Sequence, residues 1–248
     1  MTTTLASGPF KVDWGHYAPA LAHGLRMTIE FTVASFVGAV ILGIIVALLR
    51  LSRLRLLRII AAVYTEVFKN VPLLAIIFLA YFGLAAVGVR LDVFQAGCLS
   101  LIIFYAAYLS EIFRAAISGV HHGQREAAHA LGLGPIDTFA HVIFPQALRL
   151  ALPGTNTMAV DLLKSTSLLV TISAAELMTQ GSLIASETFR ALEVYLVIAA
   201  IYFAVCYPIS QGLLWIERRL RAGKPMTLSR RRRLRAARRE LQSEAVTA

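Results

Sequence analysis

Five apolar segments set the terms for this chain: Met27 to Leu49, Ile59 to Val89, Val93 to Phe113, Leu152 to Ala174 and Ala191 to Trp215. Each is near or above the roughly 20 residues that cross about 30 Å of hydrocarbon. Composition points the same way. Hydrophobic residues make up 58% of the chain and charged ones 15%, against roughly 45–50% and about 25% in an ordinary soluble domain. Soluble packing cannot hide that much apolar surface at this length, so the bilayer must be the solvent. The reading is an all-α, polytopic membrane protein of one domain with five transmembrane helices.

Two of the five depart from a plain span. The second is long and holds Pro72 after Lys69-Asn70-Val71, so it reads as an amphipathic or broken lead-in followed by the span proper. An internal proline frees a carbonyl and kinks the helix. The fourth is the least apolar, with Thr155, Asn156, Asp161 and Lys164, and a polar span should face a cavity rather than lipid. Met1 to Arg26 hold Lys11, Asp13 and His16 and lack the apolar core of a cleaved leader. Cys98 and Cys206 sit inside apolar runs and read as small buried hydrophobes.

Basic residues give the orientation. The first connection holds Arg50, Arg53, Arg55 and Arg58 without an acid, and the chain end holds Arg218, Arg219, Arg221 and the run Arg230 to Arg233. The connection after the second span has Arg90 against Asp92, and that after the fourth has Glu176, Glu187 and Arg190. Positive-inside bias places the N-terminus outside and the C-terminus in the cytoplasm. The expected layout is an extracytoplasmic segment over 1–23, a membrane domain over 24–220 with a cytoplasmic loop at about 115–150, and a basic, disordered tail over 221–248. That tail has no aromatic residue after Trp215, so it suits anionic lipid heads rather than nucleic acid.

The cytoplasmic loop reads as helix, glycine hinge, helix. Ala127, Ala128 and Leu131 share one helical face, Gly132-Leu133-Gly134 breaks the run, and Pro135 suits a first helical position with Asp137 in its first turn. Ile136, Phe139 and Ile143 form an apolar stripe able to pack on the membrane part. His121, His122, His129 and His141 crowd the same loop without a metal-ligand spacing. No set of nucleophile, base and orienting group suggests catalysis.

Glu126-Ala127-Ala128, then Gly132, then Val142-Ile143-Phe144-Pro145 resembles the EAA loop of the membrane subunits of bacterial ABC importers, with Val142 and Phe144 replacing the usual Ile and Leu. From about Gly24 to Leu220 the chain resembles the permeases of the polar amino acid uptake branch, the histidine and glutamine permeases. The matching pieces are Gly24 with Met27-Thr28-Ile29; Tyr64, Glu66 and Phe68 followed by Lys69-Asn70-Val71-Pro72-Leu73-Leu74; Tyr108, Glu111 and Arg114 with Gly123-Gln124; Pro145-Gln146-Ala147, Arg149 and Pro153; Leu162-Leu163-Lys164 with Thr166-Ser167-Leu168; and Glu217-Arg218-Arg219-Leu220. One departure is that Thr157 stands where the family tends to place Asn, with Asn156 one residue earlier.

The resemblance implies a permease subunit of an ATP-driven amino acid importer in the bacterial cytoplasmic membrane, with no cofactor. Its implied partners are cytoplasmic ABC ATPase subunits, a second permease, like or identical, and an extracytoplasmic solute-binding protein. The chain has no Gly-x-x-x-x-Gly-Lys-Ser/Thr phosphate loop, consistent with an ATPase on another subunit. Gly123, Gln124, Glu126, Ala127, Ala128, Leu131 and Gly132 are the expected ATPase-docking residues. Asn156, Thr157, Asp161 and Lys164 are the expected substrate pathway, where Asp161 either contacts a substrate ammonium or only balances Lys164 three residues on. The rival readings are the same architecture carrying an opine or other zwitterion, and an ion-coupled secondary carrier using Asp161, which should show an internal repeat.

Overall fold

A computed structural model describes residues 12–222; the expectations for residues 1–11 and for the basic tail from 223 onward lie outside the described residues. Within them every regular element is helical. In chain order these are α1 (Trp14–Arg50), α2 (Arg55–Asn70), α3 (Leu73–Ala86), α4 (Val93–Ser118), α5 (His122–Ala130), α6 (Pro135–Ile172), α7 (Leu177–Thr188) and α8 (Ala191–Ala222).

Among the described residues, α1, α4 and α8 are long and apolar enough to cross a membrane alone. The count reaches five only if two bent pairs each serve as one span: α2 with α3, bent by 107°, and α6 with α7, bent by 50°. The second and fourth predicted spans are therefore not straight single helices. At the first break Val71 is extended (φ −93°, ψ 132°), the conformation a following proline imposes by clashing with the helical alternative. The turn is far sharper than the kink expected for a proline within one helix. At the second, Ser173 adopts the left-handed region (φ 56°) and ends a 3₁₀ turn over Thr166–Ile172. The chain then restarts as α7, a helix the sequence reading took for an open connection.

The core is built on α1 and α4, which run in parallel. Phe31 meets Phe94 with ring centroids 4.7 Å apart, Gly38 faces Ile102, Gly43 faces Leu109, and Arg50 reaches Glu111. The close approach follows from sequence: Ser35, Ala39, Gly43 and Ala47 recur every fourth residue and are all buried. In a bilayer, where lipid tails are as apolar as leucine, packing of such small residues drives helix association. Large apolar side chains on the other faces, such as Val33, Val37 and Ile41, remain exposed, as lipid contact requires. Gly24 has a related role, since a Cβ there would lie 2.7 Å from Gln180 Cγ and 3.0 Å from Leu177 Cα. Its absence lets α7 sit against α1.

Three further contacts fix α2 across α4. Tyr64 donates to the Ile103 carbonyl at 2.7 Å, and Tyr108 donates to that of Lys69 at 3.1 Å. The Thr65 and Ser110 hydroxyls, both buried, meet at 3.2 Å. The helix start at Val93 is set by a reciprocal capping box in which Gln95 N donates to Asp92 and Asp92 N donates to Gln95.

Candidate functional site

The loop expected to dock an ATPase is α5 and the start of α6. His121 caps α5 by accepting a hydrogen bond at Nδ1 from Gly123 N, 3.1 Å, and Glu126 lies 3.2 Å from His122 Nδ1 in solvent. The far end closes with two backbone bonds, Leu133 N to Ala128 O at 3.0 Å and Gly132 N to His129 O at 2.9 Å. This pair defines a Schellman cap, which needs a left-handed residue at its centre. Gly132 supplies it with φ +76°. The need is conformational rather than steric, because a Cβ at Gly132 would meet nothing within 4 Å.

Two expectations about the loop are corrected. Ala127, Ala128 and Leu131 do not share one environment: Ala128 is 2% exposed while Leu131 is 81% exposed, so Ala128 faces inward and Leu131 outward. The stripe Ile136, Phe139 and Ile143 also splits, with Ile143 buried beside Ala116, Val120, Ala147 and Ala151 and Ile136 83% exposed. The second helix also runs well beyond the loop. Pro135 opens it at its first turn as expected, but it continues through a π-helical turn at Thr138–Ile143 into the membrane part. Gln146 ties it back to α5, donating to Gln124 at 3.1 Å. Together these features leave a hydrogen-bonded helical hairpin with two large apolar side chains, Leu131 and Ile136, exposed.

Just above the hairpin, Glu111 is held by both Arg50 and Arg114. This cluster fastens the ends of α1 and α4 where the hairpin meets the membrane part.

The predicted pathway residues meet in one place. Asn156, Thr157, Asp161 and Lys164 line a cleft of about 220 Å³ between α6 and α8, with Ser210 and Glu217 opposite. Asn156 Nδ2 donates to Leu213 O at 3.3 Å and lies 3.5 Å from Glu217 Oε2, whereas Thr157 bonds the Pro153 carbonyl of its own helix at 3.0 Å. Asp161 and Lys164 are not an ion pair; the carboxylate instead accepts a hydrogen bond from Tyr105 at 2.8 Å, and the same hydroxyl lies 2.8 Å from Ser165. The fourth span is polar because it faces this cleft.

Three residues escaped the sequence reading. Tyr105 sits in an apolar run with nothing nearby to mark Asp161 as its partner. Glu217 looked only like part of a terminal motif. Glu176 counted as an exposed loop acid, yet it is 0% exposed. It caps α7 by accepting from Met178 N at 2.8 Å and Thr179 N at 2.7 Å, and it accepts the Tyr202 hydroxyl of α8 at 3.0 Å. Thr28 of α1 accepts from Leu177 N at 3.1 Å. With the Thr179 hydroxyl as a fourth donor at 3.0 Å, the buried carboxylate joins α7 to α8, and the Thr28 bond adds α1. The signal for it was local: an acid immediately before a helix restart is an N-cap pattern. Among the described residues no three His, Cys, Asp or Glu side chains converge on a metal-holding geometry.

A helical membrane protein of several spans that holds an exposed helical hairpin and a polar cleft between its spans has the form of a transport subunit. Residues 39–222 match the family described as binding-protein-dependent transport system inner membrane component, and the chain belongs to that family; its role is that of a permease subunit, not an enzyme. It is 36% identical over 197 residues to the probable glutamine ABC transporter permease protein GlnM of Bacillus subtilis, covering 79% of this chain and 91% of that one. Over 216 residues it is 34% identical to the glutamine transport system permease protein GlnP of Escherichia coli, covering 85% and 99%. The L-cystine transport system permease protein TcyB of Bacillus subtilis is 36% identical over 213 residues, covering 86% and 91%. A crystal structure of an amino acid ABC transporter with histidines superposes with a TM-score of 0.79 at 36% identity, covering 85% of this chain and 100% of that one. The MetNI methionine ABC transporter in an inward-facing form shares the fold, with a TM-score of 0.69 at 20% identity.

Proposed function

We propose that this chain is the membrane-spanning permease of an ATP-driven importer that carries a polar or charged amino acid across the cytoplasmic membrane. The observation that carries the reading is the polar cleft between α6 and α8, in a chain whose relatives include permeases named for glutamine, for cystine and for amino acids generally. Asp161 and Lys164 on its wall offer one charge of each sign to a zwitterion. Asp161 is preset by Tyr105 to receive an ammonium or a cationic side chain, and Lys164 is free to take a carboxylate.

In this reading the N-terminus is outside and the C-terminus is in the cytoplasm, the orientation that the basic residues of the first connection and the chain end favour. The α5–α6 hairpin is then cytoplasmic. Leu131 and Ile136 enter a groove on the ABC ATPase, and the turn at Gly132 holds α5 at the angle that permits it. Gly123, Gln124, Glu126 and Ala127 lie on the same exposed helix, while Ala128 positions it. A second permease, identical or similar, completes the pathway, and a solute-binding protein delivers substrate from outside.

Thiol labelling tests the orientation. Cysteines at Asp92 and Ser182 should react with impermeant reagents from outside, and those at Arg53 and Gln124 only from inside. External labelling at Gln124 would leave the hairpin unable to meet a cytoplasmic ATPase and would refute the docking assignment.

A further inference from the structure

A second space lies between α6 and α8 on the other side of Lys164. It measures about 320 Å³ and is lined by Lys164, Ser167, Met178, Tyr195, Ala199 and Tyr202. Lys164 lines this space and the cleft of Asp161 alike. On α8 the two linings run from Tyr195 to Glu217, roughly 33 Å at 1.5 Å per residue, against about 30 Å of hydrocarbon. Lys164 is the residue common to both linings, so it stands between Tyr202 and Ser210, near the middle of that stretch.

The charges in the outer space are arranged for an anion. Lys164 is the one ionisable side chain of Lys, Arg, Asp or Glu type among its lining residues. It joins no ion pair among the described residues. The N-terminus of α7 adds no competing pull, because Thr28 and Glu176 already accept its first N–H groups. The Tyr202 hydroxyl is committed to Glu176, which turns the tyrosine into a fixed aromatic wall. The inner cleft is different, since Asp161 and Glu217 both line it. A lysine carries its ammonium on a flexible four-carbon stem, long enough to serve either side.

We propose that the outer space is a transit site for the α-carboxylate of the amino acid, and that Lys164 passes this carboxylate from the outer space to the Asp161 cleft. The ammonium group enters the inner cleft, where Asp161 awaits it, while the carboxylate stays on the lysine throughout. The driving feature is that one cation serves two spaces, so a zwitterion never loses its counter-charge at the bilayer centre, where an unpaired charge costs most. This inference rests on the permease reading and its orientation.

The test is charge-selective labelling. In the assembled transporter carrying Cys98→Ala and Cys206→Ala, a cysteine at Ala199 faces the outer space. An anionic methanethiosulfonate reagent should modify it about fivefold or more faster than a cationic one, by attraction to Lys164. The preference should vanish in Lys164→Met and persist in Lys164→Arg, and L-glutamine or L-arginine should slow the reaction only where the cation is present. Equal rates for the two reagents, or a preference that survives Lys164→Met, would overturn the transit site. Labelling does not require transport, so failure of amino acid uptake in the unmodified complex would count against the permease's substrate and not against this site. A cysteine at Ala199 that reacts only from the cytoplasmic side would reverse the orientation and refute both.

Discussion

Tyr105 on α4 donates its hydroxyl to the carboxylate of Asp161 on α6, at 2.8 Å. Tyr105 itself is 1% exposed, so this bond connects the packed core to the open cleft and fixes where the negative charge points. Asp161 is thereby oriented by a group other than Lys164. Tyr105→Phe should leave the fold intact and raise the apparent KM for uptake by about fivefold, the effect of a single hydrogen bond of about 1 kcal/mol. Uptake kinetics at equal protein amount check it.

The charge of Asp161 is a separate matter from its geometry. Asp161→Asn should reduce uptake of arginine more than of glutamine, by roughly tenfold or more, the scale of a charge-assisted hydrogen bond of about 1.5–3 kcal/mol. Because Asp161 and Lys164 do not pair, adding Lys164→Met to Asp161→Asn should deepen the defect. Rescue by the double variant, with equal loss for both substrates in the single one, would show instead that the two charges only balance each other.

Glu176 should prove structural in origin and severe in effect. Glu176→Ala strips the cap from α7 and leaves Tyr202 without its acceptor, a loss of about 2 kcal/mol or more. Thermal unfolding in detergent should fall by about 5 °C or more on the usual scaling. Glu176→Gln keeps one acceptor oxygen, which can serve either the two Thr179 donors or Met178 N with the Tyr202 hydroxyl, and should lose less than Glu176→Ala.

At Gly132 backbone and charge effects can be separated. Asparagine tolerates the left-handed region, so Gly132→Asn should retain most activity, and Gly132→Ala should lower it by straining the cap. Gly132→Asp can also adopt the turn, but it places a carboxylate beside Leu131. It should abolish uptake while the protein still inserts and the binding protein still holds substrate. Normal ATP-driven uptake with Gly132→Asp would remove the hairpin from the docking role.

Much of this was legible in the chain. The turn at Gly132 and the polar face of α6 follow from local rules, as a cap signal and a run of polar residues; the small-residue spacing of α1 is in the sequence too, but only the packing on α4 gave it meaning. Bent elements were harder to see. Hydropathy marks depth in the bilayer but carries no direction, so α2 and α3 read as one interrupted span, and the 107° between them could not be inferred from Pro72 alone. α7 was missed because a short helix behind a left-handed serine looks like a connection when its burial is unknown. The partners of Asp161 and Glu176 lie on other helices, at separations where only the fold brings them together.

The central claim is that this chain moves an amino acid only as part of an ATP-driven complex. The direct measurement is uptake of labelled glutamine and arginine into vesicles holding the permease, its ATPase and its binding protein, with each part omitted in turn. The account predicts uptake that needs all three components and ATP, and that stops with Gly132→Asp. Uptake by this chain alone, driven by an ion gradient, would contradict it.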